Sequence, residues 1–145
     1  MVDILHRVGM TATPQQVYAA LATVDGLAGW WTSDTTGDAE SALEFRFGDV
    51  GGCDVKVLEL RPDEHVRWEI VGGPDEWIGT TVTFELVPVD EWTIVRFAHV
   101  GWREAVEFMG HCSTKWAIFL MSLKALVETG TGAPHPHDLQ ISNWH

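Results

Sequence analysis

The sequence has few cysteines, few basic residues and no long apolar run, and each shortage excludes a class of protein. Cys53 and Cys112 are the two cysteines among 145 residues. Two are too few for a disulfide framework, so we interpret both as buried free thiols. The longest dense apolar run, residues 116–123, is far shorter than the roughly 20 residues of a membrane span. The first residues contain no basic segment followed by an apolar run, so the sequence predicts no signal peptide and a cytoplasmic location.

Basic residues are outnumbered by acidic ones. Nine Lys and Arg residues stand against 21 Asp and Glu residues, which gives a formal net charge of −12. Such a field repels phosphate backbones and anionic lipid headgroups. We therefore expect neither nucleic acid nor a membrane surface as a partner. The length predicts a single domain, residues 1–145, large enough to bury about two thirds of its unfolded surface.

The sequence also lacks the common motifs for metals, phosphates and nucleophilic catalysis. His111, Cys112 and Cys53 do not have the spacing of a zinc site, so we expect no metal and no cofactor. The glycine-rich segments 48–52 and 72–73 do not join a strand to a helix, and we interpret them as hairpin turns. No Asp, Glu or Ser lies at a position that plainly pairs with an inward-facing histidine, so no catalytic triad is supported.

Tryptophan, in contrast, is abundant. Eight of the 145 residues are tryptophan, several times the usual share. An indole ring has a large apolar face and one N–H donor, which suits a core or the wall of a small-molecule pocket. Five of the eight lie in short patterns that suggest the lining of one cavity: Trp30, Trp31, Trp77, Trp102 and Trp116.

Two short helices are predicted after a first strand over residues 4–10. Thr13 is a good helix cap, and Pro14 suits the first helical position because the missing N–H has no partner there. Apolar residues follow at helical spacing until Asp25 and Gly26, which we interpret as the end of this helix. Residues 27–31 are predicted to form a second short helix or a tight corner.

Between residues 43 and 100 the apolar pattern changes to a period of two. Val66, Trp68 and Ile70, for example, alternate with Arg67 and Glu69, and four further segments repeat this alternation. Such alternation is typical of antiparallel strands with one covered and one wet face. With the first strand, the pattern predicts a six-stranded antiparallel sheet.

One long amphipathic helix, Ser113–Thr129, remains to cover the apolar face of this sheet. The sequence therefore predicts an α+β fold in which a curved sheet wraps around the long helix and leaves a wedge between them. The acidic residues Asp34, Asp38 and Glu40 are predicted to form a flap beside the mouth of that wedge. The polar tail from Ala133 is predicted to lie on the surface.

Seven short motifs lie along the chain: Pro14-x-x-Val17-Tyr18, Trp30-Trp31, Phe45-x-Phe47, Trp77-x-Gly79-Thr80, Phe97-x-His99-x-Gly101-Trp102, Trp116-x-x-x-Leu120-x-x-Leu123-Lys124 and Glu128-Thr129-Gly130-x-Gly132-x-Pro134. In this order and spacing they resemble the START-like, or SRPBCC, superfamily, in the branch similar to the heat-shock-protein-90 ATPase activator homologue. The resemblance runs from about Val2 to Ile141. It implies a helix-grip, Bet v 1-like fold with an apolar cavity between sheet and C-terminal helix. It implies no reaction, because the superfamily includes lipid carriers, hormone receptors, aromatic cyclases and co-chaperone domains.

The predicted ligand-binding site consists of inward-facing, mostly aromatic residues. A cage for a hydrophobic or aromatic small molecule is one interpretation, and rings that simply fill the wedge are the other. His99 is the candidate catalytic residue, as a general acid or base, but we favour a neutral core imidazole with a ligand contact as a secondary role. The ten predicted residues are Trp30, Trp31, Phe47, Trp68, Trp77, Phe84, Phe97, His99, Trp116 and Leu120.

Three functions follow from this site and from the resemblance. The first is a small-molecule binding protein without catalytic activity. The second is an enzyme of the cyclase or hydrolase type that uses His99, and the missing catalytic partner counts against it. The third is a co-chaperone-like ATPase activator, which the branch name alone suggests. A homodimer is compatible with each of them.

Overall fold

One curved antiparallel sheet of seven strands is the largest element in residues 1–144, which the computed structural model describes. The strands lie in the order β1-β7-β6-β5-β4-β3-β2, and neighbouring strands are antiparallel throughout. Register shifts in the β1–β7 and β4–β5 pairs mark bulges, which bend and twist a sheet locally. The strands are β1 Val2–Met10, β2 Asp34–Asp38, β3 Ala42–Arg46, β4 Gly52–Arg61, β5 His65–Gly72, β6 Thr81–Val89 and β7 Trp92–Trp102.

Among residues 1–144 the helices are α1 Pro14–Leu21, α2 Val24–Trp30 and α3 Glu107–Thr129, and a 3-10 turn, Gly48–Val50, precedes β4. The predicted cap of α1 is confirmed. The Gln16 backbone N–H donates to the Thr13 hydroxyl at 3.2 Å, and the Thr13 backbone N–H donates to the Gln16 side chain at 2.9 Å. This reciprocal capping box satisfies two of the N–H groups that a helix start leaves unpaired.

The predicted fold class is confirmed, but the predicted number of six strands is wrong. Asp34, Asp38 and Glu40 were expected to lie in a flap. Asp34 and Asp38 are instead the first and last residues of the edge strand β2, and Glu40 lies in the turn that follows. Thr35 is the buried residue of this strand, and its hydroxyl donates to the Thr32 carbonyl at 2.7 Å. The strand has no apolar alternation, because its residues are Asp, Thr and Gly and only Thr35 is buried. Pairing with β3 stabilises it.

Two helix boundaries also differ from the prediction. Helix α3 begins at Glu107 rather than at Ser113, and no side chain caps its first turn, so the sequence carried no start signal. Gly26 lies inside α2 instead of ending α1. A β-carbon on Gly26 would approach the Ala19 carbonyl oxygen to 2.6 Å, so glycine is required where the two helices cross.

The concave face of the sheet holds the core, and α3 lies across it. The alternation in β5 is confirmed, because Val66, Trp68 and Ile70 are each at most 1% exposed. Two polar contacts fix α3 to β1: the His6 side chain donates through Nε2 to the Ser113 carbonyl at 3.0 Å, and Lys124 Nζ donates to the Gly9 carbonyl at 2.7 Å. Within residues 1–144, no helix is long and apolar enough to cross a membrane.

Candidate binding pocket

Most of the predicted site residues pack against one another and fill the wedge between sheet and helix. The Phe84 ring lies 5.3 Å from the Trp68 ring and 5.4 Å from the Phe97 ring, both edge-on. The Trp30 indole N–H is satisfied by the Ala20 carbonyl at 2.8 Å. Six predicted residues thus belong to the core, are at most 2% exposed and do not line the pocket described next: Trp30, Trp68, Phe84, Phe97, His99 and Leu120.

A pocket of about 260 Å³ lies beside this core, at the N-terminal half of α3. Its walls come from α3, the C-terminal end of α2, the turn between β3 and β4, the segment between β5 and β6, and the C-terminal tail. Four of the predicted ligand-binding residues line it: Trp31, Phe47, Trp77 and Trp116. The residues that sequence reasoning missed include Phe108, His111, Cys112, Lys115 and Phe119 from α3, and His135, Asp138 and Gln140 from the tail.

Aromatic rings form the deep walls of this pocket. The Trp77 and Trp116 rings are nearly parallel, at 14° and with centroids 6.0 Å apart, and the Trp31 ring is 4.9 Å from that of Trp116. Phe47 and Phe119 add a second pair at 6.0 Å. Flat apolar walls of this kind accept a planar ring by stacking or by edge contacts.

The C-terminal tail closes one side of the pocket, although it was predicted to lie on the surface. The Ala133 N–H donates to the Ser122 hydroxyl at 2.7 Å, and the His135 N–H donates to the Trp31 carbonyl at 2.9 Å. The Ser33 N–H in turn donates to the His135 carbonyl at 3.1 Å. These backbone contacts hold the tail as a wall of the pocket.

An ion pair joins the tail to α3 at the pocket wall. Lys115 Nζ contacts the Asp138 carboxylate, and the two side chains are 12% and 11% exposed. The same ammonium donates to the Leu139 carbonyl at 3.1 Å and lies 5.0 Å from the centroid of the Phe119 ring. Asp138 also lies 3.5 Å from His135 Nδ1. A mostly buried ammonium therefore has a carboxylate, a carbonyl and an aromatic face as partners.

His99 lies behind the pocket in a chain of buried hydrogen bonds. The Trp116 indole N–H can only donate, so His99 Nδ1 accepts this bond, at 3.1 Å. The proton of the neutral imidazole is therefore on Nε2, which donates to the Thr80 hydroxyl at 2.8 Å. The Thr80 hydroxyl donates to the Trp77 carbonyl at 2.6 Å. The chain ties α3 to the segment that carries Trp77.

Burial lowers the pKa of His99 to about 3 from its ordinary value of 6.5. The imidazole is 0% exposed and both of its nitrogens are bonded to protein groups. At neutral pH it is uncharged and has no free lone pair for a substrate proton. This geometry favours the structural interpretation of His99 over the catalytic one.

Both cysteines are buried free thiols, as predicted. Burial raises the pKa of Cys112 to about 12 and raises that of Cys53 further, so neither is a thiolate at neutral pH. The Trp77 indole N–H has no oxygen or nitrogen acceptor and lies next to the Cys112 thiol. Its contact with the sulfur lowers the pKa of Cys112 by less than burial raises it. Among the described residues, no three His, Cys, Asp or Glu side chains form a group that could hold a metal ion.

The curved sheet and the long C-terminal helix that packs across its concave face define a START-like protein of the helix-grip fold. Within that class, a sequence model of the family described as "Activator of Hsp90 ATPase homolog 1-like protein" matches residues 11–128. The chain belongs to this family, which confirms the resemblance found in the sequence.

Solved structures agree with this assignment. The solution structure of the Aha1 dimer from Colwellia psychrerythraea is 47% identical with a TM-score of 0.84, and the match covers 91% of this chain and 100% of that chain. A protein from Chromobacterium violaceum is 24% identical with a TM-score of 0.70, covering 88% and 99%. One from Staphylococcus saprophyticus is 15% identical with a TM-score of 0.75, covering 90% and 95%. The last two show similarity of fold alone. None of the curated proteins matches the chain.

Proposed function

We propose that this protein binds a small, mostly apolar molecule that contains an aromatic ring, in the pocket at the N-terminal half of α3. The observation that carries the proposal is an open space of about 260 Å³ next to a core of buried rings. Its walls include Trp31, Trp77, Trp116, Phe47 and Phe119. Ligand sites are typically concave and apolar with a few polar groups, and drug-sized ligands use roughly 300–1,000 Å³. The volume here suits a molecule of two or three rings.

The same geometry ranks the alternatives. An enzyme using His99 is disfavoured, because this imidazole does not line the pocket and both its nitrogens are bonded within the protein. The ATPase-activator hypothesis rests on the family description alone, and we base no part of it on the surface of residues 1–144. Binding without catalysis is the function that the pocket supports best.

Titration with N-phenyl-1-naphthylamine, a neutral dye that fluoresces in apolar surroundings, tests the proposal. We expect saturable binding to the wild type and binding about tenfold weaker in Trp77→Ala, because the dye loses one stacking wall. Trp77 suits this test because it is only partly buried and its N–H supports no structural hydrogen bond.

Trp92→Ala is the matched control, because this ring is 39% exposed and does not line the pocket. Its dye affinity should stay within about twofold of the wild type. Dye fluorescence that never saturates, or an equal effect of the two substitutions, would contradict the proposal.

We further propose that the protein forms a homodimer. The support is the Colwellia relative, whose solution structure is that of a dimer and whose whole chain is matched at 47% identity. Light scattering coupled to size exclusion should give a mass near twice the 16.1 kDa of one chain. A mass of one chain at every concentration up to the millimolar range would contradict this prediction.

A further inference from the structure

Lys115 is an unusual residue for the wall of an aromatic pocket. Its side chain is 12% exposed, and its ammonium lies over the Phe119 ring. A desolvated ammonium is costly unless an anion or several acceptors surround it. Lys115 is also on α3, whose packing across the sheet fixes its position, so the pocket keeps a cation at one defined place.

The counterion of Lys115 comes from the tail, a different part of the chain. Asp138 lies 23 residues further along, and these two are the charged side chains among the described residues that line the pocket. The backbone bonds that anchor the tail involve Ala133 and His135, upstream of Asp138. Leu139, the next residue, has a 65% exposed side chain, and its carbonyl accepts from Lys115 Nζ at 3.1 Å, so the ammonium keeps this acceptor when the carboxylate leaves. The carboxylate can therefore leave Lys115 while the anchored part of the tail stays in place.

We propose that the pocket selects aromatic carboxylates, and that the ligand carboxylate replaces Asp138 as the partner of Lys115. This inference rests on the proposed function, since it names the ligand class of the same pocket. In the absence of ligand, Asp138 occupies the anion position, so the tail competes with the ligand. The aromatic walls hold the ring, and Lys115 supplies the charge-assisted hydrogen bond.

The charge distribution argues for an anionic rather than a cationic ligand. A ligand cation would seek an aromatic face and a carboxylate, but Lys115 Nζ already occupies the position over Phe119, next to Asp138. The net charge of −12 opposes an anion anywhere on the protein, so a carboxylate needs a local cation such as Lys115. Lys115 is the charged group of the pocket wall that can attract a carboxylate once Asp138 has moved.

The test compares two probes of nearly equal shape, 2-naphthoate and 2-naphthamide, by calorimetric titration. Asp138→Asn removes the competing charge and keeps the size of the side chain. We expect it to tighten 2-naphthoate binding by about tenfold and to change 2-naphthamide binding by less than about twofold. In the wild type, saturating 2-naphthoate should speed hydrogen exchange of the amides of residues 137–140.

Glu128→Gln is the matched control. It breaks an ion pair on the same helix, with Lys124 at 2.8 Å, and neither residue lines the pocket. The affinities of both probes should remain those of the wild type.

The complementary change, Lys115→Met, should abolish the preference for 2-naphthoate over 2-naphthamide. Because it leaves Asp138 without its partner, the double variant Lys115→Met/Asp138→Leu, with no unpaired charge, gives the same test if the single variant does not fold. A preference for 2-naphthoate that survives the loss of Lys115 would overturn the inference. Equal tightening of both probes by Asp138→Asn would do so too, since the tail would then act only as a steric barrier.

Failure of the inference can be distinguished from failure of the proposed function. If the neutral dye binds through Trp77 but 2-naphthoate shows no dependence on Lys115, only the carboxylate selectivity is wrong. If neither the dye nor either naphthalene probe binds to the wild type or to any variant, the pocket is not a ligand site and both proposals are wrong.

Discussion

Replacing Trp31 with alanine is expected to lower the free energy of unfolding by about 3–5 kcal/mol. This ring is 2% exposed and is surrounded by aromatic rings on all sides that face the core. Its neighbours lie at centroid distances from 4.3 to 6.0 Å: Trp30, Phe45, Phe47, Trp68 and Trp116. Five rigid rings cannot collapse into the space that one indole leaves, so the cavity persists and its cost is near the upper end for such changes.

Urea unfolding followed by far-ultraviolet circular dichroism measures this change. Trp92→Ala is again the control, and we expect it to cost only about 1–2 kcal/mol, because that ring is 39% exposed and its charged neighbour is Lys124 Nζ, 5.1 Å from the centroid. The Trp31 carbonyl that accepts the His135 N–H is a backbone group, so this tail contact is available in the variant as well. A loss below that of the Trp92 control would mean that the aromatic cluster can repack around Trp31.

The fold could be predicted because its signals are local. Alternation in β5 identified the buried face of the strand, and Thr13 with Pro14 identified the start of α1. Strand β2 was missed because its single buried residue is Thr35, whose pairing with Phe45 depends on a neighbouring strand. An edge strand of small polar residues gives no periodic signal, and a contact with β3 stabilises it.

The candidate site could be predicted only in part. Alternation shows that Trp68 and Phe84 face inward, but not whether each ring meets another ring or an open space. That distinction depends on how all the side chains fill the volume together. Of the ten residues predicted from the sequence, four line the pocket and six are packed behind it.

Some of the missed lining residues did have a sequence signal. Phe108, Cys112, Lys115 and Phe119 share a helical face with Trp116. Lys115 and Phe119 already lie within the predicted helix, and Phe108 and Cys112 would have joined them if α3 had been extended back to Glu107. The tail residues had none. The contact between Asp138 and Lys115 joins a segment without regular structure to a helix, and no periodicity predicts such a pair.

Replacing His99 with leucine is expected to lower the free energy of unfolding at pH 7.5 by about 2–4 kcal/mol. Leucine has a similar volume but leaves the Trp116 indole N–H without an acceptor in the core, where water cannot replace it. The Thr80 hydroxyl still donates to the Trp77 carbonyl, so one bond of the chain survives. The same change at His6, which is only partly buried, is the matched control and should cost less.

The pH dependence of stability separates a neutral buried imidazole from one that titrates normally. Because the pKa of His99 is about 3 in the folded protein and 6.5 without burial, the unfolded chain binds a proton between these values that the folded protein does not. Above pH 6.5 the imidazole is neutral in both states and the wild type keeps its full advantage over His99→Leu. As the pH falls, protonation of the unfolded wild type removes that advantage, by about 2–3 kcal/mol at pH 4.5. The leucine variant lacks this group, and the other titrating residues are common to both chains.

The two stability curves, measured by urea unfolding from pH 8 to pH 4.5, should therefore converge on the acid side. Curves that run parallel across this range would mean that His99 accepts a proton in the folded protein at its ordinary pKa, and they would restore it as a candidate acid or base.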